Sequence, residues 1–142
     1  MYYFDSAYVA KCYINEPGSE PLREMVRQPA PRYTSVICIA EVSCAFRRQV
    51  RQHSLSHSQA LQLAALFRTD VQDGVWTLVP ASERLLWEVH RTVQTLPPGV
   101  FLRAGDAIHL ASARSAGFSE LWTSDRQMLR AASHFGLTGR SV

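Results

Sequence analysis

Four acidic residues stand in apolar surroundings where acids are uncommon. Asp5 lies between Phe4 and the stretch Ala7-Tyr8-Val9, and Glu41 sits inside Val36-Ile37-Cys38-Ile39-Ala40-Glu41-Val42. Asp106 precedes Ala107-Ile108-His109-Leu110-Ala111, and Asp125 follows Leu121-Trp122-Thr123-Ser124. Carboxylates are rarely buried unless a cation or metal compensates them. A set of oxygen ligands without cysteine or paired histidine partners favours a hard ion, Mg²⁺ or Mn²⁺. A site of that kind polarises a substrate oxygen and activates a water. Each acid also has an ordinary structural use. Asp5 and Asp125 can cap the helices that follow them, and Asp106 can favour its helix dipole. Glu41 can pair with Arg48 or Arg103. The remaining aspartates, Asp70 and Asp73, sit beside Gly74 and read as solvated turn residues.

Positioning these acids requires strands that end beside them. Tyr2 to Phe4, Tyr33 to Val36, Trp76 to Val79 and Leu121 to Thr123 are short apolar runs that read as strands. Between them lie helical patterns. Ser6 to Ile14 is closed by Asn15-Glu16-Pro17-Gly18, and a second helix runs from a Ser19 cap to about Arg27 before Pro29 and Pro31. A third carries Glu41, Phe46 and Val50. Ser56-His57-Ser58-Gln59 reads as a capping box for a fourth, with Ala60, Leu63, Ala64 and Phe67 on its apolar face. Ser82 caps a fifth through Leu86, Val89 and Val93. Arg103 to Ala116 stops at Gly117, and Arg126 to Phe135 stops at Gly136. Strands alternating with helices predict a mainly parallel sheet of four to five strands, covered on both faces. Sites in such sheets form outside the carboxyl ends of the strands, where Asp5 and Asp125 fall.

The bulk properties are consistent with one domain spanning residues 1–142 and large enough for a proper core. Hydrophobic residues make up 46% of the chain, and no apolar run approaches bilayer length. The start, Tyr2-Tyr3-Phe4-Asp5, lacks the pattern of a signal peptide. Cys12, Cys38 and Cys44 have no paired spacing and read as reduced thiols, which with the other features predicts a cytoplasmic protein. Net charge is +3, from 15 basic and 12 acidic residues. Lys11 is the only lysine. Arginine suits phosphate recognition, although a GC-rich genome produces the same bias.

Two other chemistries fit less well. His53, His57, His90, His109 and His134 offer no convincing acid–base pair, and His109 reads as a core residue or a support for the acids. A receiver-type signalling domain needs a central aspartate and a late lysine. Here the strand ending at Val79 meets Pro80, and the lone lysine is early.

In order, the acidic segments resemble the blocks of PIN domains. Tyr3-Phe4-Asp5-Ser6-Ala7-Tyr8-Val9 is similar to the first, Ile39-Ala40-Glu41-Val42 to the second, Arg103-Ala104-Gly105-Asp106-Ala107-Ile108-His109-Leu110-Ala111 to the third, and Thr123-Ser124-Asp125 to the fourth. They span nearly the whole chain and most resemble the compact toxins of VapBC-type toxin–antitoxin pairs. The resemblance implies a PIN-like three-layer α/β/α nuclease, with Asp5, Glu41, Asp106 and Asp125 as metal ligands. It implies Mg²⁺ or Mn²⁺, an RNA substrate, a homodimer and a small cognate antitoxin. Asp5 and Asp106 are the leading ligands, with Ser6, Thr123 and Ser124 placed to hold the acids. The expected reaction is endoribonucleolytic hydrolysis by a metal-activated water. It would leave a 5′-phosphate and a 3′-hydroxyl. A PIN nuclease of RNA processing without an antitoxin, and an inactive PIN-fold binding module, stand as alternatives. Some relatives carry a further acid after the fourth block, where this chain has Arg126 and Gln127, so one or two ions remain possible.

Substrate contacts are expected from arginines. Arg48 lies seven residues beyond Glu41, about 10 Å along one helix face, and can hold a flanking phosphate. Arg103 sits at a helix start that already favours anions. Arg47 and Arg51 read as a solvated face. Trp76, Trp87 and Trp122 read as core. Val100-Phe101-Leu102 either anchors its loop or faces a partner.

Overall fold

The computed structural model describes residues 1–142. The chain runs β1 (Tyr2–Tyr3), α1 (Ser6–Tyr13), α2 (Ser19–Arg27), β2 (Arg32–Ser35), α3 (Cys38–Arg51) and α4 (His57–Gln72). It continues through β3 (Thr77–Val79), α5 (Glu83–Gln94), α6 (Ala104–Ser115), β4 (Glu120–Trp122), α7 (Arg126–Ala131), a 3₁₀ turn (Ala132–Phe135) and β5 (Thr138–Arg140). Strands β1, β2 and β3 pair in that order, all parallel, and β4 pairs parallel with β5. A parallel bridge between Phe4 and Trp122 joins the two parts. The resulting order is β3-β2-β1-β4-β5, with β1 in the middle.

That order creates a switch point. From β1 the chain builds outward through β2 to β3, then crosses back to add β4 and β5 on the other side. The loops leaving β1 and β4 therefore part in opposite directions and open a crevice at the carboxyl edge. Successive strand residues point to opposite faces. Tyr3 enters a core with Leu85, Leu110, Leu121, Met128 and Phe135, under α5, α6 and α7. Phe4 enters a second core with Tyr8, Leu22, Val42, Phe46, Phe67 and Trp76, under α1 to α4. Two cores on either side of one sheet make the three layers expected.

Local signals held at most helix starts. Ser56 Oγ accepts from Gln59 N at 3.0 Å while Gln59 Oε1 accepts from Ser56 N at 2.8 Å, a complete capping box. Ser82 caps α5 through Leu85 N. Ser19 does not cap α2. The cap position belongs to Gly18, at φ 81°, and Ser19 is a buried first-turn residue. The left-handed turn that Gly18 permits lets the helix begin one residue earlier than the serine signal suggested. The final helix tightens to 3₁₀ at Ala132 before Gly136 stops it. Trp87 is exposed, not core, because it lies on the outer face of α5, where its indole donates to Glu83. Cys38 is buried and Cys12 half-buried, whereas Cys44 is exposed. Of the apolar triplet before α6, Val100 and Leu102 pack against the first core and Phe101 points outward.

Candidate active site

Each of the four acids sits at the start of a helix whose N-terminus faces the crevice. Asp5 is the N-cap of α1 and Asp125 the N-cap of α7. Glu41 lies in the first turn of α3, and Asp106 in the first turn of α6. The partial positive charge at four helix N-termini thus meets four carboxylates. An open cleft of about 780 Å³ contains all of them, together with Ser6, Cys44, Arg47, Arg48, Arg51, Arg103 and His109.

Asp5 is the most constrained. It is 3% exposed. Its Oδ1 accepts from Tyr8 N at 2.8 Å, and its Oδ2 accepts from the Thr123 hydroxyl at 2.5 Å. Thr123 Oγ1 also accepts from Asp125 N at 2.9 Å, so one hydroxyl ties two acids across the β1–β4 crevice. Burial pushes the Asp5 carboxyl above its ordinary range, and the Asp106 charge adds to the rise. The charge of His109 and the hydrogen bonds from Thr123 and Tyr8 only partly offset them.

Glu41 is set by a buried histidine. His109, 2% exposed, places Nε2 2.8 Å from Ser6 Oγ and 3.0 Å from Glu41 Oε2. Its Nδ1 lies 3.3 Å from the Tyr3 hydroxyl. Burial raises the Tyr3 phenol far above its usual range, so it stays protonated beside Nδ1. The Glu41 carboxylate can only accept, so a proton on Nε2 is donated toward it. Burial alone would raise Glu41. The hydrogen bonds from His109 and Ser6 and the charges of His109 and Arg103 reverse this and hold it below the usual glutamate value. Glu41 makes no ion pair with Arg48 or Arg103; its partner is His109.

Gly105 completes the approach. A Cβ there would collide with Glu41 Oε1, so glycine lets that carboxylate rest against the α6 N-terminus where any other residue would make it move aside. Asp106 Oδ2 accepts from Arg103 N at 3.3 Å. Burial raises the Asp106 carboxyl; the backbone N–H and charge of Arg103 oppose the rise, and the charges of Asp125 and Glu41 reinforce it. The Arg103 guanidinium lies 3.6 Å from Asp106 Oδ2 and 3.7 Å from Asp125 Oδ2. As the side chains stand, no three carboxylate or histidine groups converge tightly enough to ligate one ion. The donor chemistry nonetheless fits a hard divalent cation: the acids present oxygen only, two are raised by burial and like charge, and a guanidinium already bridges the outer pair.

The sequence candidates thus separate. Asp5, Glu41, Asp106, Asp125, Ser6, Arg48 and Arg103 line one cleft, and Thr123 lies directly beneath it. Ser124 is exposed and outside that lining, because the chain turns between the strand end and the α7 cap. Arg47 and Arg51, read as a solvated face, line the cleft wall after all, since α3 runs along it. Arg47 Nη1 is held by His57 Nδ1 at 2.8 Å. Tyr3 and Gly105 were not among the candidates. The Gly105 signal was present, as a helix-weakening residue beside an acid; nothing local marked Tyr3.

Two outcomes follow from this geometry. The folded state raises the Asp5 and Asp106 pKa values, so their contribution to stability is present below the ordinary aspartate pKa and lost as pH rises through the folded values. Metal-free protein therefore bears this cost at neutral pH. A saturating divalent cation bound by these acids, at a hundredfold excess over Kd, would add about 2.7 kcal/mol, or roughly 10 °C in Tm; Mn²⁺ is the probe. The gain shrinks in mildly acid buffer; a thermal-shift gain that is independent of pH would contradict the assignment. Second, His109→Leu weakens Mn²⁺ binding about 10–100-fold, and His109→Gln, which keeps an N–H donor, recovers part of it. Calorimetric titration checks both, and wild-type affinity in the leucine variant would reduce His109 to packing.

Comparison with known proteins identifies the family of the chain and its fold. Residues 2–133 match the PIN domain family. The chain is 31% identical over 139 residues to Ribonuclease VapC46 of Mycobacterium tuberculosis, covering 95% of this chain and 92% of that protein. Its fold is similar to that in the crystal structure of FitAcB from Neisseria gonorrhoeae, with TM-score 0.71, 14% identity and coverage of 98% and 96% of the two chains. It is likewise similar to VapBC2 from Rickettsia felis bound to a promoter DNA fragment, with TM-score 0.68, 13% identity and coverage of 99% and 98%. With the acidic blocks converging at the switch point and the family pattern spanning nearly the whole length, the chain belongs to the PIN-domain family.

Proposed function

We propose that the chain is a VapC-like endoribonuclease, dependent on Mg²⁺ or Mn²⁺, and the toxin of a type II toxin–antitoxin pair. The observation that carries this reading is the two-signed cleft, in which four carboxylates face an arginine wall at the carboxyl edge of the sheet. The VapC46 relative is named a ribonuclease, and the structural relatives include FitAB bound to a DNA fragment and VapBC2 bound to DNA from its promoter. In this reading residues 1–142 act as one domain, in the cytoplasm and as a homodimer.

Asp5, Glu41, Asp106 and Asp125 would hold the cation. When bound, a divalent cation supplies a water of lowered pKa and neutralises charge developing on the phosphoryl group. The protein supplies the positioning. Thr123 fixes Asp5 against Asp125, and His109 fixes Glu41. Arg48 and Arg51 lie further along α3 and take phosphates flanking the scissile one. Arg47 is partly committed to His57. The antitoxin is a small protein that presents a cationic group to the acidic half, and an arginine there would fork onto two carboxylates.

Purified protein should cleave RNA with Mg²⁺ or Mn²⁺ and lose activity in excess EDTA. Asp5→Asn and Asp106→Asn should abolish cleavage without lowering the metal-free Tm, because each removes a carboxylate whose ionised form is disfavoured in the fold. Full activity in EDTA would overturn the metal mechanism. Expression should arrest growth, with relief by the neighbouring small protein. Harmless expression together with intact cleavage would leave a PIN nuclease of RNA processing. Arg48→Ala, made on the Asp106→Asn background, should weaken RNA binding and lower the salt slope of log K by about one. An unchanged slope would place the substrate path elsewhere.

A further inference from the structure

The four acids do not share one environment. Asp5 is almost wholly buried on Tyr8 and Thr123, and the more exposed Glu41 is held by His109. Asp106 and Asp125 are instead bridged by Arg103. Its side chain is 72% exposed, yet its Nε and Nη2 face Asp106 Oδ2 and Asp125 Oδ2 at 3.6 and 3.7 Å. Asp125 is thereby committed at both oxygens, since Oδ1 accepts from Gln127 N at 2.7 Å and Met128 N at 3.1 Å. Asp106 is committed at Oδ2 only, while Glu41 takes His109 Nε2 at Oε2 and a further hydrogen bond from Ser6. Asp106 Oδ1, at the α6 N-terminus, has no protein donor.

Building on the metal-nuclease reading, we propose that Arg103 is a resident cation for Asp106 and Asp125, so that the site takes one divalent ion and excludes a second. Charge supports this. Four ionised carboxylates carry four negative charges. Among groups in ion-pair contact with the acids, Arg103 and one divalent ion balance three and leave an excess of one, which does not draw a second doubly charged ion. Arg47, Arg48 and Arg51 line the cleft but pair with none of the acids. Without Arg103, two negative charges remain beside the first ion, and a second ion balances them. Position supports it too. Arg103 is the N-cap residue of α6, and its own backbone N–H donates to Asp106, so its guanidinium has a short, fixed base from which to reach both acids. The segment after Asp125 adds no further acid; Arg126 and Gln127 follow. Arg103 stands where a second ion would need its bridging ligands.

The test is the number of Mn²⁺ ions bound per chain, counted by electron paramagnetic resonance of free Mn²⁺ and by calorimetry on full-length, metal-free protein. Wild type should bind one. Arg103→Met, which keeps much of the side chain but not its charge, should bind two. Arg103→Lys should stay at one. Two ions in wild type, or one in the methionine variant, would overturn the resident-cation role while leaving the metal-nuclease reading intact. No Mn²⁺ bound by wild type would overturn both.

Discussion

An ionisable group buried at the end of the central strand governs much of what surrounds it. Asp5 leaves β1 at the switch point, almost wholly removed from water, with a second acid close behind Thr123. Desolvation and like charge both oppose its ionised form. The fold meets this with a helix N-terminus, a backbone N–H and a hydroxyl, each of which stabilises negative charge. These do not restore an ordinary pKa, and the residual cost is one that a bound cation would relieve. The site therefore stores an affinity for positive charge in its own architecture.

The same constraint explains the division of the cleft. Acids collect at its base because four helix N-termini point there. Arginines collect along α3 because its exposed face, past the first turn, runs beside the cleft without being needed by either core. A polyanion can approach the arginine wall while its reacting group meets the acids, which would repel it without a cation. Arg103 stands between the two zones and belongs to both. Beneath them, the Tyr3–His109–Glu41 chain crosses the sheet layer, linking the packing of the first core to the orientation of an acid at the surface.

The structural and functional readings of the acids prove compatible. Asp5 and Asp125 are helix caps, as their positions allowed, and they also line the cleft. A carboxylate offers about four acceptor positions on its two oxygens, so capping and other contacts leave positions that face the site. Glu41 shows the limit of local reasoning in a different way. Its expected partners were Arg48 or Arg103; the partner is His109, 68 positions away, which the sequence offered only as a core residue or a general support for the acids.

What the linear chain determined by itself was the alternation of short strands with capped helices, the strand ends at Asp5 and Asp125, and the order of the acidic blocks. These follow from periodicity, turn residues and capping groups, which act over a few residues. The short β5, with glycine at its centre, lacked such a signal; it exists because Thr138 to Arg140 pairs with β4. Only the tertiary structure decided that β1 lies between β2 and β4, that Thr123 ties Asp5 to Asp125, that Tyr3 and His109 hold Glu41, and that Arg103 bridges Asp106 and Asp125. Those are contacts between groups far apart along the chain. Their distances depend on strand order and on which face of the sheet each helix covers, and neither is written in the local pattern of residues.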